Sequence, residues 1–237
     1  METLIFEEGR HRYYLEGQKD KPFTGVTTVL GVIAKPALIA WSAKMATEYI
    51  RENVAYAIPG ENGGFWAIKP NIVEEAKNAH NRKKDSAADI GTAVHEAVEM
   101  YIKGETPVVL DEQGQKMFDK FVKWATDNKV KFLASEKRLY SKKHWIAGTC
   151  DFICEIDGKK YLGDFKTSSG IYGREYFAQC SAYRMMEEEN GATDFHGSII
   201  VRCGKDGSFE TKESFDYETD LKMFLAALTI YRITNNY

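Results

Sequence analysis

The residues richest in potential chemistry lie in the stretch GTCDFICEIDGKKYLGDFKTS, residues 148 to 168. Asp157-Gly158 is a dipeptide preferred by two-residue type I′ hairpin turns, because both loop positions need positive φ. Taking these two residues as the loop makes Ile156 face Lys159, Glu155 face Lys160 and Asp151 face Asp164. Alternation then places Cys150, Phe152, Cys154, Ile156, Tyr161 and Phe165 on one apolar side. Asp151, Ile153, Glu155, Lys160, Leu162, Asp164 and Lys166 fall on the other. Carboxylates directly opposite each other, with Cβ atoms about 4.5 to 5.5 Å apart, repel unless a proton or a cation lies between them. Lys166 is close by, but one ammonium does not satisfy four carboxylate oxygens. A divalent cation taking oxygen ligands is the simpler resolution.

Further residues could serve such a centre. His95 borders the helical stripe Ile90, Val94, Ala97, Val98 and Tyr101, where a histidine is either a hydrogen-bonded core residue or a ligand. Gly91, one turn earlier on the same face, would let that helix approach a sheet closely. Gln179 and Tyr183 share a helix face by i,i+4 spacing. Glu136, on the strand before the hairpin, and Glu99, four residues after His95, are candidates for a second metal or an outer carboxylate. Glu99 also reads as solvated surface.

Asp151 followed by Asp-Phe-Lys at 164 to 166 resembles the PD-(D/E)XK nuclease signature in its RecB-type form. The ordered set Gly91-Thr92-Ala93-Val94-His95, Gly148-Thr149-Cys150-Asp151 and Gln179-Cys180-Ser181-Ala182-Tyr183 carries the same resemblance. The early segment with VTTVL and the Trp41 helix is similar to the front of phage-encoded exonucleases of that family. The resemblance implies a restriction-endonuclease-like α/β fold, a central mixed sheet flanked by helices. It implies Mg²⁺ or Mn²⁺ held by His95, Asp151, Asp164 and the Phe165 carbonyl, with Lys166 completing a catalytic set of Asp151, Asp164, Lys166 and His95. Gln179, Tyr183 and Glu136 would support that set. The implied activity is exonucleolytic hydrolysis of DNA in a bacterial or phage-infected cytoplasm, beside recombination or single-strand-binding partners. A structure-specific endonuclease, a non-catalytic nucleic-acid-binding protein on a decayed core and a small-substrate metal hydrolase remain alternatives.

The elements that must position these residues read as follows. Two short strands around Glu8-Gly9 occupy residues 3 to 16. A helix follows Pro36 and ends near Pro59-Gly60, with a loop from Gly60 to Gly64. Helices are expected over 71–84, 88–103, 114–128, 173–189 and 218–234. Three strands fill 131–167, and a second hairpin turns at Lys205-Asp206-Gly207. No linker is apparent, so the chain reads as a single domain, with a hairpin and helical part over 1–87, a core over 88–203 and a strand and helix over 204–237.

Composition sets the outer limits. With 43% hydrophobic and 28% charged residues, 237 residues can bury a core, which excludes a disordered chain. No apolar run reaches the roughly 18 residues of a membrane span, and METLIFEEGRHRYY has no secretory layout, so no membrane association is expected. Cys150, Cys154, Cys180 and Cys203 have neither zinc nor disulfide spacing and read as buried small hydrophobes. The net charge of −3 argues against bulk electrostatic binding of nucleic acid. Nine Lys/Arg against three acids between Lys116 and His144 would instead flank a cleft locally. Tyr140, Trp145 and Tyr172 are candidates for stacking on unpaired bases.

Overall fold

The computed structural model describes residues 3–53, 56–58, 65–67 and 70–235. In chain order the elements are β1 (Leu4–Glu7), β2 (Arg12–Leu15), β3 (Thr24–Gly25), α1 (Val26–Leu30), α2 (Pro36–Glu52), β4 (Tyr56–Ile58), β5 (Phe65–Ala67), α3 (Pro70–Lys77) and α4 (Ala79–Lys103). Then come α5 (Glu112–Asp127), β6 (Lys131–Ser141), β7 (Ile146–Ile156), β8 (Lys159–Lys166), α6 (Glu175–Glu189), β9 (Phe195–Cys203), β10 (Phe209–Ser214) and α7 (Tyr217–Thr234). They form two compact units, Met1–Ile33 with Ala93–Tyr237, and Ala34–Thr92. The first boundary differs from the segments read in the sequence. The N-terminal hairpin belongs with the core because Tyr13, Leu15 and Phe23 bury against Ala147 and β3 pairs in parallel with the start of β7.

The larger unit is α/β, a mixed sheet with helices on both faces. Strand order is β10-β9-β8-β7-β3, with β6 also pairing β7. The β7–β8, β6–β7 and β9–β10 pairs are antiparallel, while β8–β9 is parallel, as the α6 crossover between them requires. One face buries Ile153, Leu162 and Ile200 beneath α1, α6 and α7, through Val29, Ala178, Met186 and Phe224. The other carries an aromatic cluster. Phe121 of α5 meets Phe132, Phe152 and Phe165 at ring-centroid distances of 5.3 to 6.1 Å, and Tyr101 of α4 closes its rim. All four cysteines are buried thiols.

The β7–β8 turn follows the sequence expectation. Asp157 and Gly158 both have positive φ, 49° and 73°, and the pairs Ile156↔Lys159 through Phe152↔Gly163 keep the predicted register. The helix boundaries differ in two places. α4 starts at Ala79 rather than near residue 88, because the break falls at Asn78. α2 stops at Glu52 instead of running to Pro59, and the chain beyond it forms a short pairing of β4 with β5. The loop expected over Gly60 to Gly64 lies outside the described residues.

In the smaller unit α2 packs on α3, with the Tyr49 hydroxyl bonded to the Glu75 carboxylate and the Arg82 guanidinium 4.8 Å from the centre of the Tyr49 ring. No helix among the described residues is long and apolar enough to cross a membrane.

Candidate active site

The site forms where β8 leaves β7. Pairing of these strands ends at Phe152↔Gly163, one rung before the Asp151 to Asp164 rung that the turn register anticipates. The Phe165 N–H instead donates to Asp151 Oδ2 at 2.8 Å, so a side chain takes the place of a ladder carbonyl. Local irregularity explains the change. Across β6, Ser135 pairs Phe152 and Lys137 pairs Cys150, which brings Glu136 opposite Asp151 with a φ of 45°. Alternation slips here: Cys150 packs with Ile153 and Leu162, while Phe152 turns to Phe121. The expectation that Cys150 shares the face of Phe152 and Phe165 is therefore corrected.

Asp164 and Asp151 are thus not simple cross-strand neighbours on one face. Asp164, 1% exposed, turns toward α6, where Gln179 Nε2 donates to its Oδ1 at 3.0 Å. Lys166 Nζ donates to the same oxygen at 2.6 Å. Asp151 turns toward α4, with its Oδ2 3.9 Å from His95 Nδ1. The two carboxylates still influence each other electrostatically. Burial, joined by the Asp151 charge, pushes the Asp164 carboxyl up to about 7, against the ammonium and amide that favour its ionised form. Burial alone would lower Lys166, but Asp164 and Asp151 outweigh it and raise the ammonium above its usual range. Both shifts run upward, so each member of the pair holds its proton more tightly than the free group would.

His95 is held by α4, and its ring meets the Phe165 ring edge-on at 4.9 Å. Burial lowers its pKa, with Asp151 opposing and Lys166 reinforcing that shift, so the neutral imidazole is favoured. A neutral imidazole has a lone pair to offer. Tyr183 fills the gap between β7 and α6: a Cβ at Gly148 would come within 2.7 Å of its ring, which is why the position is a glycine. The Tyr183 hydroxyl lies 3.5 Å from Gln179 Nε2. The structure thus brings His95, Asp151, Asp164, Phe165, Lys166, Gln179 and Tyr183 together.

Glu136 joins from the far side of Asp151. Burial first, then the charges of Asp151 and Glu99, push its carboxyl up to about 7, while Lys103 and Arg138 oppose. Glu99, paired with Lys103, lines a cleft of about 480 Å³ together with Glu136, Arg138 and Thr149. Sequence reasoning missed Tyr176, whose ring centre lies 5.7 Å from Lys166 Nζ. Its position three residues before Gln179 on α6 is the signal that would have found it.

One atom of this cluster is left without a partner. Asp164 Oδ2 is buried and has no hydrogen-bond partner, a costly arrangement for a carboxylate oxygen unless something positive meets it. Carboxylates and a neutral imidazole are ligand types that Mg²⁺ or Mn²⁺ accepts. In this conformation, among the described residues, no three His, Cys, Asp or Glu side chains stand close enough to enclose an ion. Phe165 contributes its N–H and its ring to the arrangement.

Lys116, Lys123, Lys131 and Lys137 have carboxylate partners in Glu112, Asp127, Glu155 and Glu187. Trp145 stacks on Phe23 and donates from Nε1 to the Pro22 carbonyl, and Tyr140 packs against the same ring. Both are partly buried against the cluster of Tyr13, Leu15 and Phe23. Tyr172 is 76% exposed.

No family model matches the chain, and no curated protein does. Among solved structures, that of a protein named SSO0001 aligns over 80% of this chain and 86% of its own, at 13% identity and a TM-score of 0.34, a likeness that carries no argument.

Proposed function

We propose that the chain is a metal-dependent deoxyribonuclease of the PD-(D/E)XK kind, acting on DNA ends in a bacterial or phage-infected cytoplasm. The observation that supports this most is the state of Asp164. One oxygen is anchored by Lys166 and Gln179 and the other is buried without a partner, beside Asp151 and His95 at the point where β7 and β8 part. Burying a carboxylate this way is destabilising for the apo chain and becomes favourable when the site is loaded.

The residues present would divide the work as follows. Asp164, Asp151 and His95 would hold the cation, with Asp151 kept in place by the Phe165 N–H and Asp164 by Gln179. When bound, such an ion neutralises charge on the scissile phosphate and lowers the pKa of a water. The Lys166 ammonium, fixed by Asp164 and lying over Tyr176, would donate to a phosphate oxygen as negative charge accumulates there. Water adds to phosphorus, the P–O bond opposite breaks, and the departing oxygen takes up a proton. Lys166 keeps its own proton through this, in agreement with its raised pKa.

The test is hydrolysis of end-labelled linear and circular DNA with Mg²⁺, Mn²⁺ or chelator, beside Asp164→Ala. Release of mononucleotides from linear DNA alone, only with a cation and only by the unmodified chain, is the expected result. Cutting of circular DNA would make it an endonuclease. Binding without cleavage under every cation would overturn the reading.

A further inference from the structure

The segment that leaves Lys166 runs directly into a second feature, an open groove of about 650 Å³ between residues 171–177 and the β10 edge with its exit. Hydrogen bonds tie its walls together. Arg174 Nε donates to the buried Asp220 at 2.6 Å, Ser214 bonds the other oxygen of that carboxylate, and Lys212 Nζ donates to the Ile171 carbonyl at 2.8 Å. Two large rings stand on opposite walls, Tyr172 at 76% and Phe215 at 59% exposure.

Tyr172 is exposed, with contacts at its rim. Its hydroxyl donates to Ser169 Oγ at 3.0 Å, and its ring lies so close over Gly170 that a Cβ there would come within 2.7 Å of it. An aromatic face held in solvent by contacts at its rim has already lost the rotamer freedom that binding would otherwise remove. The groove charges nearly cancel, since Arg174 is paired with Asp216 and Asp220 and Lys212 with Glu210. A near-neutral groove with two rings suits the faces of nucleobases better than a row of phosphates. Lys166 and Tyr172 are six residues apart, at most about 20 Å of chain. A strand with its phosphate at Lys166 could lay neighbouring bases here.

We infer that the Tyr172–Phe215 groove takes the unpaired bases of a single-stranded nucleic acid whose backbone passes the Asp164–Lys166 site. This rests on the proposed nuclease reading for its substrate, but its test is separable. Binding of a labelled single-stranded oligothymidylate and of a blunt duplex is measured on the full chain in chelator, so that no cleavage occurs. Tyr172→Ala and Phe215→Ala should each weaken single-strand binding roughly 5- to 100-fold, the size of one lost base stack, with little change on duplex. Tyr172→Trp should keep the affinity. Gly170→Ala, which displaces the ring without removing it, should fall between.

The deficit should also persist from low to high salt, since the groove adds no phosphate contact. Equal single-strand affinity in all four variants, or the same loss on duplex, would overturn the inference. So would concentration-dependent self-association abolished by Phe215→Ala, which would make the groove a contact between copies. If Tyr172 governs binding and the chain cleaves nothing, the nuclease reading fails and the groove stands. If the chain cleaves and the aromatic variants bind normally, the reverse holds.

Discussion

Lys166 Nζ lies 2.6 Å from Asp164 Oδ1, while Oδ2 of the same carboxylate is buried with no hydrogen-bond partner. The ammonium therefore supports the ionised form of Asp164 as well as facing any substrate. Lys166→Ala should weaken Mn²⁺ uptake at pH 7 and not merely slow turnover, because the unpaired buried carboxyl then holds its proton more tightly. Raising the pH to about 9 should restore uptake but not rate. Calorimetric titration at both pH values, with a parallel cleavage assay, checks this; full metal affinity at pH 7 would show that the ammonium does not support the ionised carboxylate.

Glu136 gives a pH signature in stability. Its folded carboxyl titrates near 7, above the unfolded value of about 4.3. Between those values the folded chain holds the proton more often than the unfolded chain. The protonated form's stabilising contribution is thus complete below about pH 4 and is lost as pH rises through 7. Glu136→Gln should flatten this part of the profile, so that melting temperature falls less between pH 5 and 8 than in the unmodified chain. An unchanged slope would contradict the assignment.

Gly163 tests the packing that ends the β7–β8 ladder. A Cβ there would collide with the Phe152 ring, which covers the glycine from the neighbouring strand. Gly163→Ala should destabilise the chain by about 1 to 3 kcal/mol through overpacking. Thermal unfolding should show a drop of several degrees, and a neutral result would mean that the ring has room to move.

The fold was legible where a local signal had one solution. Asp157-Gly158 requires positive φ twice, and that alone registers Ile156 through Phe152 against Lys159 through Gly163. It could not reveal that alternation slips at Asp151, where Glu136 lies across on another strand with left-handed backbone. Cys150 and Phe152 are equally apolar, so pattern gave no warning that they face opposite ways. The residues Asp151, Asp164, Lys166, His95, Gln179 and Tyr183 were named from spacing and resemblance. The burial that sets their chemistry was not readable, because it depends on α6 and α4 closing over the two sheet faces. Trp145 and Tyr140 illustrate the converse: both aromatics lie in a basic stretch, and the N-terminal segment that partly covers them is more than 100 residues away.

Everything proposed for the site depends on Asp164 capturing a divalent ion. Electron paramagnetic resonance of Mn²⁺ titrated into the purified chain at pH 7.5, beside Asp164→Asn and with and without a non-cleavable oligonucleotide, reads this directly. The unmodified chain should remove the free-ion signal at a stoichiometric site, more tightly with the oligonucleotide present, and Asp164→Asn should leave it in solution. Equal loss of signal in both proteins, or none in either, would contradict the account.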